Sequence, residues 1–211
     1  MRLLPVLIHF VKNTCSRYKI DESHAIGHAM NVLYYSQCIV NATAYQFPYL
    51  REQEPIIYTS AVLHDMFDSK YRDPKESLTD INELLYHRLK PVEIETIKHI
   101  ISTMSYSHVK KDGFPILGKY QLAYHIAREA DLLAAYDFDR AIIYRMHHST
   151  DDFSKSFENA KDLFENRMFR HESDGLFVTD YSKEKSKELY IKSKSQIASW
   201  NKVIDSYEKY I

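Results

Sequence analysis

Glycine is scarce in this sequence: there are 4 glycines among 211 residues, about 2% where ~7% is usual. Because all-β domains need many glycine turns, this shortage favours long helices joined by few tight corners. Hydrophobic residues make up 45% and charged residues 27%, which is ordinary for a globular protein and excludes a disordered or fibrous chain. The length fits one domain over residues 1–211.

Neither sign of charge dominates, because 28 Lys and Arg nearly balance 29 Asp and Glu to give a net charge of −1. Binders of nucleic acid or of anionic membranes normally have a basic excess, so we expect neither as a partner. The uncharged run 3–11 is too short to span a bilayer and lacks a cleavage site, so no secretory signal is expected. Cys15 and Cys38 form no Cys-x-x-Cys pair, which favours a reducing, cytoplasmic compartment.

Apolar spacing and helix-start residues predict seven or eight helices. Pro55 suits the first turn of the third helix. The segment 105–118 contains two glycines and a proline, and is the best candidate for a mobile functional loop. The apolar stripe of the last helix is interpreted as packing, with a homodimer contact as the alternative. The other helices are expected at about 3–18, 23–45, 76–89, 91–104, 119–148 with a break near 136–137, 152–171 and 180–210, and a short extended piece is possible at 176–178.

Histidine is abundant, with 11 residues, and it is the commonest metal ligand among side chains. The sharpest local feature is the pair His64-Asp65, which directly follows the apolar run 61–63. Polar residues in a buried stretch are costly unless they are paired or bind a metal. Neighbours on a helix point about 100° apart, so this pair could hold one ion from adjacent sides, with Asp68 on the same edge. A simple hydrogen-bonded pair near a helix end is the alternative.

Two further residues agree with the metal interpretation. His28 lies on the preceding predicted helix. Asp131 lies in the apolar stretch 126–135, where a buried carboxylate is costly unless it is paired or binds a metal. His24 is interpreted as a neighbour of the ligands or a capping residue, since the zinc-protease His-x-x-x-His motif requires Glu where Ala25 stands. The histidines that fit no pattern are interpreted as surface or packing residues: His87, His108, His125, His147 and His148.

The order His … His-Asp … Asp on successive helices resembles the HD-domain superfamily of metal-dependent phosphohydrolases, in particular its small stand-alone members. The likeness covers about 21–145, and the helices of 150–211 would complete the fold. It implies an all-α, single HD domain, a helical bundle with one divalent cation at its centre (Mn²⁺, Fe²⁺, Mg²⁺, Co²⁺ or Zn²⁺). The ligands that it implies are His28, His64, Asp65 and Asp131.

The resemblance also implies catalytic and substrate-binding residues. Asp68 occupies the position of the acidic residue that polarises the attacking water or receives its proton, and Lys70 matches a Lys or His found shortly after it. His99 lies in a stretch that resembles the substrate-side helix of relatives. Lys98 and Arg128 are candidate cations for substrate phosphates, and Arg128 is favoured because it precedes the last ligand by one helical turn.

Several positions depart from the pattern of relatives. Ala25 and Asn31 replace an Asp and an Arg near the first ligand, and Leu132 and Ala134 replace an Arg and an Asp after the last one. Groups around the ligands tune metal affinity and water acidity. These departures keep open a non-catalytic module that binds a nucleotide or a partner.

The expected function is therefore metal-dependent hydrolysis of a small phosphorylated molecule, with a nucleotide as the favoured class. The first alternative is a cyclic-nucleotide-type phosphodiesterase, which needs a second metal and further histidines, for which His99 is the candidate. The second alternative is the non-catalytic module.

Overall fold

The computed structural model describes residues 2–67, 71, 73–150 and 152–208. Its chain divides into two compact units, Met1–Asp131 and Leu132–Ile211. The described residues form ten α-helices and four 3₁₀ turns, and contain no β-strand. The all-α prediction is confirmed, whereas the expected count of seven or eight helices is too low. The single-domain interpretation stays a prediction.

The first unit contains the first six helices and most of the seventh. They are α1 (Leu3–Tyr18), α2 (Ile26–Thr43), α3 (Leu50–Leu63), α4 (Pro74–Leu85), α5 (Pro91–Thr103), α6 (Tyr106–Asp112) and α7 (Gln121–Ala134). The second unit contains α8 (Phe138–His148), α9 (Phe153–Asn166) and α10 (Asp180–Glu208). No helix in the described part of the chain has the length and apolar character needed to cross a membrane.

Helix α3 is the central element of the first unit, because it packs against α1, α2 and α5. Its last five residues, 59–63, are all fully buried, so the helix is surrounded at this end. The core around it includes Leu7 from α1, Ala29 from α2 and Ile97 from α5. The residues that follow Leu63 therefore emerge inside the unit, which is where the His64-Asp65 pair stands.

Two sequence predictions about helix boundaries are wrong. Pro55 lies inside α3, because the helix already begins at Leu50 through a turn in which the Leu50 N–H donates to the Phe47 carbonyl. Because proline has no backbone N–H, one hydrogen bond of α3 is missing near its start, and the helix continues past it. The expected loop 105–118 is half helical, because the Ser105 hydroxyl accepts from the His108 N–H and caps α6. Only 113–117 between α6 and the next 3₁₀ turn is non-helical.

The expected break near 136–137 is confirmed, because Asp137 accepts from the Arg140 N–H and starts α8. In the second unit, the buried ring of Phe138 contacts Phe157 and Phe164 edge to face. Residues of the α10 stripe join this core, namely Ile197, Trp200 and Ile204, as the packing interpretation predicts. The homodimer stays a prediction. The piece 176–178 is not a strand.

Candidate metal centre

Three elements bring the four expected ligands together. His64 and Asp65 open a 3₁₀ turn (His64–Phe67) that continues directly from α3. His28 lies in the first turn of α2, and Asp131 lies on α7. The side chain of His28 is 2% exposed and that of His64 is 7% exposed, so both imidazoles have been taken out of water.

Side-chain nitrogen and oxygen atoms of these residues that could bind a metal converge, each within 3.5 Å of an imidazole Nε2 atom of another residue. The two Nε2 atoms of His28 and His64 are 3.2 Å apart. Asp131 Oδ1 lies 3.1 Å from His28 Nε2 and 3.4 Å from His64 Nε2. Asp65 Oδ1 lies 3.2 Å from His64 Nε2, and its Oδ2 lies 3.5 Å from His28 Nε2. The cluster therefore presents two imidazoles and two carboxylates to one point.

The orientation of His64 is set by its own helix. Its Nδ1 lies 2.9 Å from the backbone carbonyl oxygen of Ala61. A carbonyl oxygen only accepts, so Nδ1 is the donor, and Nε2 faces the cluster. In the neutral imidazole, Nε2 then carries the lone pair that a metal ligand needs.

The imidazoles and carboxylates of the cluster shift one another's pKa values. Burial works against the charged form of His64, but the carboxylates of Asp65 and Asp131 raise its pKa to about 9. Burial also opposes ionisation of Asp65, yet the neighbouring imidazoles hold the pKa of that carboxyl below its usual range. The same balance holds the pKa of Asp131 well below its usual range, with His64 as the strongest opposing influence. The carboxylates thus stay ionised beside the imidazoles.

The donor set fits a divalent cation. Asp65 Oδ2 is buried and accepts no hydrogen bond from any described residue, and a buried carboxylate oxygen needs a partner. Donor atoms of His28, His64 and Asp65 all lie within 4.8 Å of one another, and Asp131 adds a second carboxylate. Imidazole and carboxylate ligands together suit ions such as Mn²⁺, Fe²⁺ and Zn²⁺.

A hydrogen-bonded network beside the cluster holds His24. The Asp21 carboxylate accepts from the Ser23 side chain and from Tyr71 Oη, and Ser23 Oγ lies 2.7 Å from His24 Nδ1. His24 in turn helps to lower the pKa of Asp65. The interpretation of His24 as a neighbour of the ligands is supported. Sequence reasoning missed Tyr71, which nothing in its local pattern marks.

Arg128 is buried, with 1% of its surface exposed. Its Nη2 lies 3.4 Å from Glu129 Oε1, and its Cζ lies 4.7 Å from the centre of the Phe114 ring. Burial lowers the pKa of Arg128, whereas Glu129, Tyr124 and Asp131 raise it. Arg128 and Asp131 both belong to α7 and stand one helical turn apart along it.

The remaining predicted site residues lie apart from these contacts or outside the described residues. His99 is exposed on α5, and no hydrogen bond or ion pair between its imidazole and the cluster exists among the described residues. Lys98 donates to Glu95 Oε1 at 2.8 Å and to Asn82 Oδ1 at 3.1 Å, so its ammonium is engaged away from the four ligands. The catalytic candidates Asp68 and Lys70 lie outside the described residues.

Comparison with known proteins gives one structural likeness. A crystal structure of a structural-genomics target protein from Lactobacillus plantarum matches with a TM-score of 0.69 and 16% identity, and the match covers 97% of each chain. At that identity the likeness shows a shared fold alone. No protein-family model matches the chain, and no curated protein matches it. Membership of the HD-domain superfamily therefore stays a prediction.

Proposed function

We propose that this protein is a metal-dependent phosphohydrolase that acts on a small phosphorylated molecule, with a nucleotide as the expected class. The observation that carries the proposal is the convergence of His28, His64, Asp65 and Asp131 from three separate elements. Buried imidazoles and carboxylates are costly unless they are paired or coordinate a metal, and Asp65 Oδ2, which accepts no hydrogen bond from any described residue, favours the metal. The resemblance to HD-domain enzymes agrees with the same four residues.

The four ligands would hold one divalent ion, with Mn²⁺ as the first to test. When bound, such an ion lowers the pKa of water and neutralises phosphate oxygens. His64 is oriented for this role by the Ala61 carbonyl, and the carboxylates of Asp65 and Asp131 stay ionised because the imidazoles lower their pKa. The direction of His64 and the ionised carboxylates therefore suit ligation, and a bound cation would displace the proton that the raised pKa keeps on His64.

Arg128 is the residue proposed to bind the substrate phosphate. Its guanidinium is shielded by Phe114 and lies one helical turn from Asp131. A cation in a desolvated setting attracts an anion more strongly than one in water. The net charge of −1 favours a small substrate over a nucleic-acid polymer. Asp68 remains the proposed group that orients or deprotonates the attacking water.

The test incubates metal-stripped protein with nucleoside mono-, di-, tri- and cyclic phosphates, each with Mg²⁺, Mn²⁺, Fe²⁺, Co²⁺ or Zn²⁺, and separates the products by chromatography. Hydrolysis of one phosphate class is the expected result. The Asp65→Asn variant should lose turnover by about a hundredfold or more, because ligand loss weakens metal binding. Asp162→Asn, an exposed carboxylate on α9, is the matched control.

The other outcomes separate the alternatives. Turnover of cyclic phosphates alone, with two ions bound per chain, would replace the proposal by a phosphodiesterase. Tight nucleotide binding without turnover under any metal would indicate the non-catalytic module. If Asp65→Asn keeps both its metal and parental activity, the cluster is not the active site.

A further inference from the structure

His125 on α7 has a defined tautomer. The Leu117 N–H donates to Gln121 Oε1 at 2.9 Å, which fixes the orientation of that side-chain amide. The amide nitrogen of Gln121 then lies 3.2 Å from His125 Nε2 and donates to it. Because Nε2 accepts, the single proton of the neutral imidazole is carried by Nδ1. Burial and the charge of Arg128 lower the pKa of His125 to about 4, so this neutral form persists at physiological pH.

The Nδ1–H of His125 is a buried donor that finds no acceptor among the described residues. His125 is 8% exposed, and its Nδ1 makes no hydrogen bond to any described residue. Buried donors are nearly always paired, and an exception calls for an explanation. An acceptor atom from outside the chain is one such explanation.

A second donor lies beside it under the same aromatic ring. The Phe114 ring is 5.0 Å from the His125 ring, centre to centre, and 4.7 Å from the Arg128 Cζ. Phe114 itself is 39% exposed, whereas His125 is 8% and Arg128 is 1% exposed. It belongs to the short non-helical segment bounded by Gly113 and Gly118, both with positive φ (77° and 52°), a conformation that glycine adopts without strain.

We propose that His125 Nδ1–H and Arg128 together bind phosphate oxygens of the substrate beyond the scissile phosphate. The proposal rests on the proposed function, which places the scissile phosphate at the metal cluster. Residues three apart on a helix are separated by about 4.5 Å along its axis. Arg128 therefore stands between Asp131 and His125 on α7, and the three side chains mark a path for a substrate with at least two linked phosphates.

The chemistry of the two groups suits such a ligand. Arg128 supplies charge and several donors, and the neutral imidazole supplies one directed donor without adding to the charge. A diphosphate offers more acceptor oxygens than a single phosphate and extends along the helix. The subsite would thus favour nucleoside di- or triphosphates, or pyrophosphate, over monophosphates.

An internal partner for the Nδ1–H is the rival explanation. The rings of His125 and Phe114 meet at 89°, so the N–H could face the π-electrons of Phe114, a weak interaction. In that case His125 is structural, and removal of the donor would leave ligand binding unchanged. The two explanations therefore predict different pyrophosphate affinities for a variant that lacks the Nδ1 donor.

The test compares three forms of the full chain by calorimetric titration with inorganic pyrophosphate and with orthophosphate, in the presence of Mn²⁺ near neutral pH. His125→Phe keeps a ring of similar size but has no donor. His125→Asn places an amide nitrogen near the position of Nδ1. Both variants lose the acceptor for Gln121, so the difference between them isolates the Nδ1 donor. Thermal unfolding of each variant checks that the fold is retained.

We expect His125→Phe to bind pyrophosphate about tenfold more weakly than the parent, the usual effect of losing a hydrogen bond to a charged acceptor. His125→Asn should stay within about threefold of the parent, and orthophosphate should discriminate less between the variants. Equal pyrophosphate affinity of parent and His125→Phe, or no pyrophosphate binding by the parent, overturns the subsite. The proposed function fails separately, if the parent hydrolyses no phosphate ester while His125-dependent binding persists.

Discussion

His64 Nδ1 lies 2.9 Å from the carbonyl oxygen of Ala61, which stands three residues earlier in the chain. This bond leaves Nε2 facing Asp65 Oδ1 and Asp131 Oδ1, at 3.2 and 3.4 Å. The backbone of α3 thus selects which nitrogen meets the cluster. Ligating histidines are commonly oriented by a carbonyl or carboxylate in this way.

A divalent cation should stabilise the fold through this cluster. At a concentration about 100 times its dissociation constant, Mn²⁺ is expected to add about 2.7 kcal/mol to the free energy of unfolding. The melting temperature should then rise by roughly 5–10 °C. Differential scanning calorimetry of chelator-treated protein, with and without added Mn²⁺, measures the shift.

His64→Ala should abolish this shift, because it removes one ligand from the cluster. The exposed-carboxylate variant Asp162→Asn should keep it in full. A shift of equal size in His64→Ala and in the parent would mean that Mn²⁺ binds elsewhere on the chain.

Asp21 should make the free energy of unfolding depend on pH in the acid range. Burial raises its pKa, but hydrogen bonds from Ser23 and Tyr71 dominate together and lower it to about 2. A carboxyl with a depressed pKa contributes stability above its unfolded value of about 4, and this is lost as the pH falls from about 4 towards 2. Relative to the parent, Asp21→Asn should be about 1 kcal/mol less stable at pH 7, because solvent screens part of the interaction of this half-buried group.

The measurement is urea unfolding of both proteins from pH 7 down to about pH 3. The difference in free energy of unfolding should be constant above about pH 5 and should shrink as the pH falls. Tyr71→Phe, which removes one donor to Asp21, should show a smaller effect of the same sign. A difference that is independent of pH would show that Asp21 acts through something other than its charge.

The core of the second unit should depend strongly on Phe138. This ring is fully buried and lies 5.5 Å from the Phe157 ring and 5.1 Å from the Phe164 ring, centre to centre. Phe138→Ala should cost about 3–5 kcal/mol, because it leaves a cavity and removes two edge-to-face contacts. The fluorescence of Trp200, the only tryptophan of the sequence, reports unfolding of this unit because it packs against the same core.

Val203→Ala is the control for this prediction, since Val203 is 44% exposed on α10. It should change the free energy of unfolding by no more than about 0.5 kcal/mol. Comparable losses in the two variants would contradict the placement of Phe138 at the centre of this core.

The sequence predicts the all-α class and three of the four clustered residues for physical reasons, whereas His28 joins the ligand set through the resemblance to HD-domain enzymes. Asp131 and the His64-Asp65 pair interrupt apolar helical stretches. A charged side chain in a buried stretch needs a partner or a metal ion, whatever the arrangement of the helices. The same logic identified Arg128 through its spacing from Asp131. Local patterns also placed the break before α8, where Asp137 caps the helix.

What the sequence could not predict depends on contacts that no local pattern specifies. The ring of Phe114 contacts Arg128 and His125. No local pattern shows which side chains an aromatic residue in a loop will contact. The tautomer of His125 depends on the orientation of the Gln121 amide, which the Leu117 N–H sets from the non-helical residues before α7. These residues are close in sequence, but their pattern does not show which way the amide turns. The sequence alone therefore marks His125 only as a surface or packing residue.

Pro55 does not mark the first turn of its helix, because α3 already starts at Leu50. The residue before that start, Tyr49, makes no side-chain capping hydrogen bond that would reveal it.

Arg128 and Glu129 should be energetically coupled. Both side chains are almost fully buried, and Arg128 Nη2 lies 3.4 Å from Glu129 Oε1. Arg128→Met alone should destabilise the protein by about 3 kcal/mol, because a buried carboxylate loses a cationic partner. The double variant Arg128→Met/Glu129→Gln should be less damaged than the sum of the single variants, with a coupling energy of about 1 kcal/mol or more. Urea unfolding of the four proteins completes the cycle. Strict additivity would mean that the two charges do not stabilise each other.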